Sequence, residues 1–278
     1  AVVAASVAAE PDGARVKGVV VGAPDTEMTD FSPTLAEKVP ADAIAYLGFN
    51  NLAGSITTIL EQAKAAQGGD ATAQIDALTG QLPALLGVSV ADLAALTSGE
   101  HAIVATSGSP NPGAALLLKV DDGTKAAATL DALRGGVPPL LQTFRPQTTL
   151  PAWKKAPLAA GVTGWQLPLS PEAGVVYGVD GDLAIVGTSV PADIAVQRPV
   201  SPLSSSADFT AATSGMPDAV TSLVWLNISE AVEAADKVGA LKDAPAESIA
   251  NLRPLKSITG WTTGGETPTF EVFLKIAG

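Results

Sequence analysis

The chain has no cysteine and a single histidine, His101, in 278 residues. Without sulfur ligands there is no disulfide, thiolate zinc site, iron–sulfur cluster or cysteine nucleophile. One imidazole rules out sites built on several histidines and restricts any Ser-His-Asp triad to the surroundings of His101. Positive charge is scarce: 16 Lys and Arg against 28 Asp and Glu leave a formal charge of −12, which repels nucleic acid and anionic membrane surfaces. Aromatic residues make up only 4%. Long apolar runs are missing too, since Ala1–Ala9 and Val19–Ala23 fall far short of the roughly 18–20 residues a spanning helix requires.

What is present is apolar. Hydrophobic residues reach 47% and charged residues only 16%, where an ordinary soluble domain carries about a quarter charged. Much of the apolar share is alanine, which favours helices but buries little area, so packing rests on Leu, Val, Ile and the few aromatics. The Ala/Val/Ser start and the Gly/Pro/Asp-containing segment Pro11–Thr34 read as a flexible leader or linker over 1–38, following a removed signal peptide or anchor. Absence of cysteine suits an exported protein made without disulfides.

The first strand signal is Ala43–Phe49, entered from Pro40 and followed by a helix with Leu52, Ile56, Ile59, Leu60 and Ala63 at helical spacing. Asn51 can cap that helix and Gly68-Gly69 can end it. Asp70–Leu86 repeats the helical pattern with a break at Pro83, and Ser89 caps a short helix through Leu96. Glu100–Ser107 and Ala114–Val120 form a hairpin around a Gly/Pro-rich tip. A helix Lys125–Arg134 is expected to close at Gly135-Gly136. A second hairpin pairs Val175–Val179 with Leu183–Gly187 through Asp180-Gly181, a pair suited to a type I′ turn.

The last hundred residues repeat the opening. Asp42–Leu52 aligns with Asp218–Ile228, each carrying an Asn before a helix. Leu93–Val120 lies over Ile249–Ile276 without a gap, matching Leu96 to Leu252, Thr106 to Thr262 and Leu118-Lys119 to Leu274-Lys275. This predicts a duplicated strand-helix-helix-strand-strand unit, about 40–120 and 217–277, joined by a hairpin-containing region 121–216. In the terminal strand Phe270, Val272, Leu274 and Ile276 share one face and Glu271, Phe273 and Lys275 the other. Leu117 and Phe273 then fall on the wetter face, a candidate ligand or partner surface.

Signatures of chemistry are mostly absent. There is no G-x-S-x-G elbow, no S-x-x-K, no phosphate loop and no G-x-G-x-x-G after a strand. His101 aligns with Ser257 and reads as a strand-edge residue, so no catalytic residue is assigned. Asp121-Asp122 and Asp180-Gly181-Asp182 lack the ligand run of a calcium loop and suit caps and turns, so neither a metal site nor a cofactor is expected. Trp153-Lys154-Lys155 sets a tryptophan beside two cations in a Pro-rich passage, which makes Trp153 a third candidate contact residue.

Val39-Pro40-Ala41-Asp42-Ala43-Ile44-Ala45-Tyr46, Leu96–Val104, the helix after Val120-Asp121 and Tyr177–Gly187 occur in that order. In these motifs the chain resembles a family of bacterial exported or membrane-anchored proteins catalogued as domain of unknown function 3352. The resemblance spans Val39–Ile276 and implies an extracytoplasmic module tethered at its N-terminus; it brings no catalytic residues with it.

The expected fold is a single α+β domain over 39–278, with a mixed, largely antiparallel sheet and helices mainly on one face. The expected function is a non-enzymatic extracytoplasmic binding or structural module, with an apolar ligand or a protein as partner. No nucleic acid is expected, and membrane association only through the N-terminal anchor. Two alternatives stand beside it: a carrier of a lipid or other apolar ligand in a cleft between sheet and helices, and a hydrolase using a Ser or Asp site.

Overall fold

The computed structural model describes residues 1–22, 29–52, 54, 80–81, 83–84, 86–107, 112–144, 151–159, 162–169, 174–188 and 199–277, with 137–144 and 159 by backbone alone. Its frame is one twelve-stranded sheet in which every neighbouring pair is antiparallel. The strands are β1 Val2–Glu10, β2 Gly13–Val21, β3 Ala43–Asn50, β4 Glu100–Thr106, β5 Gly113–Lys119 and β6 Lys154–Ala159. They continue with β7 Val162–Pro168, β8 Gly174–Asp180, β9 Leu183–Thr188, β10 Ser222–Asn227, β11 Leu255–Thr263 and β12 Thr269–Ile276. Their order across the sheet is β1-β2-β12-β11-β10-β3-β4-β5-β9-β8-β7-β6. The helices are α1 Val90–Leu96, α2 Gly123–Phe144, α3 Ala207–Ala212, α4 Ile228–Lys237 and α5 Ala246–Leu252, with 3₁₀ turns at Leu35–Lys38 and Leu203–Ser205.

Period-two geometry sends neighbouring residues of a strand to opposite faces, and here one face is covered along the sheet centre and the other over β5, β8 and β9. Tyr46, Val104, Leu117, Trp225 and Phe273 pack with Phe31, Leu35, Leu203 and Phe209 in the larger core. On the opposite face Leu118, Tyr177 and Ala184 pack with Leu96 of α1 and Ala126 and Leu130 of α2. α1 and α2 thus lie on one face, and α3 with the two 3₁₀ turns on the other. The same fact corrects the reading of Leu117 and Phe273 as a wetter surface: they are 0% and 2% exposed. The strand alternation itself was right; the segments between 29 and 40 and between 199 and 212, which supply the cover, have no periodicity that announces it. On the other face Val272 and Ile276 retain 37% and 36% exposure.

Residues 2–21 are not a flexible leader. They form the hairpin β1–β2, and β2 pairs along β12 from Thr269↔Val19 to Lys275↔Gly13. Alanine-rich β1 is exposed at every position but Glu10, so it lacks the alternation by which a half-buried strand is recognised. Arg15 fixes the attachment: its Nε donates to Glu10 Oε1 at 2.6 Å, its Nη1 to Glu271 Oε1 at 2.6 Å, and its guanidinium lies 4.4 Å from the Phe273 ring centroid. Lys17 Nζ reaches the other Glu271 oxygen at 2.9 Å.

The two predicted hairpins form as β4–β5 and β8–β9. In the second, Asp180 pairs with Leu183, so the turn centres on Gly181-Asp182 instead of Asp180-Gly181. Only Gly181 has positive φ (58°), the arrangement of a type II′ turn. The expected helices, from Leu52 to Gly68-Gly69 and over Asp70–Leu86, lie mostly outside the described residues; Leu52, Gly54, Gly80–Gln81, Pro83–Ala84 and Leu86 are helical. α2 does not stop at Gly135-Gly136. The two glycines differ in their surroundings: a Cβ on Gly136 would sit 2.5 Å from the Leu86 backbone, whereas one on Gly135 would meet nothing within 4 Å. Gly136 serves close approach between two elements, not helix termination.

Two titratable residues of β4 are enclosed. Glu100, 7% exposed, accepts from Thr34 Oγ1 at 2.5 Å and from Leu35 N at 2.8 Å, capping the 3₁₀ turn. Burial raises its pKa above the ordinary 4.5, with these hydrogen bonds opposing. His101 is fully buried, not at a strand edge; its Nε2 lies 2.9 Å from Thr97 O, and burial lowers its pKa below 6.5.

The raised Glu100 pKa contributes stability below about pH 4.5 that is lost as pH rises through the folded value. The lowered His101 pKa contributes stability above about pH 6.5 that is lost as pH falls through its folded value. Glu100→Gln is therefore expected to flatten the alkaline side of the stability profile while keeping the acid side, as read by urea denaturation between about pH 4 and 8. An unchanged alkaline limb would contradict the assignment. By the same measurement Gly136→Ala is expected to destabilise by about 1–3 kcal/mol. Gly135→Ala should be neutral or stabilising by up to about 1 kcal/mol.

Candidate apolar binding cavity

A cavity of about 480 Å³ lies between α2 and the β7–β9 end of the sheet. The register explains its wall. Trp165 pairs with Tyr177 and Leu167 with Val175 across β7–β8, while Tyr177 pairs with Val186 across β8–β9. Leu167, Val175, Tyr177 and Val186 therefore point to the face that α2 covers, and α2 closes over them with Leu130, Leu133 and Arg134. Leu86, Leu169 and Trp153 complete the lining. The wall presents side-chain carbon and no polar atom to the space it encloses.

Polar groups hold this wall from behind. The Tyr177 hydroxyl donates to Asp131 Oδ1 at 2.6 Å and accepts from Arg134 Nε at 2.8 Å. Burial, followed by the hydrogen bond to the Asp131 carboxylate, pushes the Tyr177 phenol well above its ordinary pKa, so it stays neutral. Trp153 packs edge-on against Tyr177 with ring centroids 5.5 Å apart, and its buried indole N–H has no acceptor among the described residues. The Arg134 guanidinium lies 3.8 Å from the centroid of the Trp165 ring, and Lys155 Nζ lies 5.7 Å from the same ring. Lys154 and Lys155 belong to edge strand β6, where the sequence showed only a Pro-rich passage.

Of the three contact residues named from the sequence, Trp153 lies on this cavity, while Leu117 and Phe273 are core residues elsewhere and do not join it. Sequence reasoning missed Tyr177 and Arg134 as wall residues. Asp131 and Arg134 do carry a signal, opposite charges three apart on one helix face. A second recess of about 260 Å³ is lined by Thr34, Lys119 and Asp182 among others. Lys119 Nζ donates to Thr34 Oγ1 at 3.2 Å, and Thr34 in turn donates to Glu100. Both Glu100 oxygens are occupied in fixing the 3₁₀ turn, which accounts for this cluster structurally. Asp122 Oδ1 caps α2 by accepting from Lys125 N at 3.0 Å. Among the described residues no group of three or more His, Asp or Glu is placed to hold a metal ion, and no helix is long and apolar enough to cross a membrane.

No curated protein matches the chain. Solved structures of TP0453 resemble it distantly. Crystal form I is 10% identical with a TM-score of 0.37, covering 92% of this chain and 93% of that one. Crystal form III is 11% identical with a TM-score of 0.35, covering 87% and 92%. A model of a protein family of unknown function, DUF3352, matches residues 1–276, β1 and β2 included. The chain therefore belongs to the DUF3352 family.

Proposed function

We propose that the chain is a non-enzymatic binding protein, acting outside the cytoplasm, that carries an apolar ligand in the cavity between α2 and β7–β9. The observation behind this reading is the wall itself. About 480 Å³ falls within the roughly 300–1,000 Å³ of small-molecule sites, and a carbon-lined space of that size forfeits dispersion contacts unless something occupies it. Of the alternatives considered from the sequence, the geometry favours the carrier. The extracytoplasmic setting rests on the family resemblance and suits a chain without cysteine.

The same proposal includes a duplicated origin for the sheet centre. β3–β4–β5 and β10–β11–β12 are each consecutive antiparallel triplets, joined through β3–β10. In both, an Asn at the end of the first strand accepts through Oδ1 from the backbone N–H three residues on, Asn51 from Gly54 and Asn227 from Glu230, each at 3.1 Å. α4 and α5 occupy the connection between β10 and β11, as α1 does between β3 and β4.

The cavity is tested with a neutral, largely apolar fluorescent probe, N-phenyl-1-naphthylamine. The wild-type protein is expected to enhance its emission with saturable binding. Leu133→Trp, which fills the cavity from α2, should weaken binding by at least about tenfold at a stability cost of no more than about 1–3 kcal/mol. No saturable binding, or binding untouched by the folded variant, would overturn the proposal.

A further inference from the structure

The cavity wall is apolar, but the rim beside it is cationic on a chain of net charge −12. Arg134 belongs to the wall and Lys155 stands beside it, both held on the single ring of Trp165. The register Lys155↔Trp165↔Tyr177 sets the lysine, the ring and the cavity-lining tyrosine in one row on one sheet face. Arg134 spends its Nε on the Tyr177 hydroxyl, and Asp131 lies on that same Nε side at 3.6 Å. Among the described residues neither terminal nitrogen of the guanidinium has a hydrogen-bond partner. Lys155 is exposed and has no carboxylate partner among the described residues. Two cations gathered on one ring repel each other unless an anion joins them, and an unoccupied guanidinium fork matches a carboxylate.

The volume limits what hangs from that anion. If a methylene takes about the 30 Å³ that a water molecule does in the liquid, 480 Å³ accommodates about sixteen carbons, one chain and not two. Resting on the carrier reading above, we propose that the ligand is a single-chain anionic amphiphile, a long-chain fatty carboxylate. Its hydrocarbon lies between α2 and β7–β9, and its carboxylate is bound by Arg134 and Lys155 at the rim. Asp131 and Tyr177 are positioning residues here: they hold Arg134 by its Nε and leave the rest of the fork to the ligand.

The experiment displaces bound N-phenyl-1-naphthylamine with dodecanoate, dodecanol or dodecyltrimethylammonium at about pH 8, where the carboxylate is ionised. Dodecanoate is expected to displace the probe at concentrations at least about tenfold below dodecanol, with the cation weakest. Arg134→Gln with Lys155→Gln should bring dodecanoate and dodecanol to parity, each displacement being referred to the affinity of that variant for the probe. Lys155→Gln alone, an exposed substitution without structural cost, should lower the preference by about threefold. Arg134→Lys should retain part of it. Equal displacement by all three compounds in the wild type, or an anion preference surviving the double substitution, overturns the fatty-carboxylate assignment and leaves the apolar carrier intact. Failure of the probe to bind at all overturns both.

Discussion

Strands β5, β8 and β9 have to bury side chains on both of their faces, and much of the rest of the structure follows from that constraint. Adjacent residues of β5 show it: Leu117 lies in one core and Leu118 in the other. A sheet open to water on one side needs one layer of cover; this one recruits two of different character. One layer is short, built from 3₁₀ turns and α3 around Leu35, Leu203 and Phe209. The other is helical, with α1 and α2 bringing Leu96, Ala126 and Leu130 onto Leu118, Tyr177 and Ala184.

The two layers close with different completeness. Beneath the 3₁₀ layer the large side chains Tyr46, Leu117, Trp225 and Leu223 are fully buried. Beneath α2 the packing ends in a cavity where the helix passes over β7–β9. That gap is framed by groups that resist collapse: Gly136 holds α2 against Leu86 by backbone contact, and the Asp131–Tyr177–Arg134 bonds tie its middle to β8. A cavity held open by backbone contact and a polar brace is preformed, so the ligand proposed for it would meet little ordering cost.

Much of the frame was legible in the amino-acid pattern because it rests on local rules. Alternation in Ala114–Val120 and Phe270–Ile276, the turn before Leu183 and the Asn residues before the helices all act over a few residues. What stayed hidden depends on distant partners. β1 has no hydrophobic face, and its strand character comes from β2; β2 in turn is held by β12 and by Arg15 on Glu271 and Phe273. Gly135-Gly136 looks like a helix end because the contact that uses Gly136 lies fifty residues back at Leu86. Exposure of Leu117 and Phe273 was inferred from polar neighbours in the same strands, while their cover comes from segments without periodicity. Trp153 could be singled out from its cationic company, but the cavity it lines needs residues from six places in the chain, and no spacing rule joins them.

The most direct measurement is the identity of whatever the protein holds when isolated from the cell that makes it. Organic extraction of protein purified without detergent, followed by mass spectrometry, is expected to yield a single-chain carboxylate approaching one per protein molecule, absent from the cavity-filled Leu133→Trp protein. Recovery of no amphiphile from the wild type, or of the same amount from both proteins, would contradict the cavity between α2 and β7–β9 as the place where this chain binds its ligand.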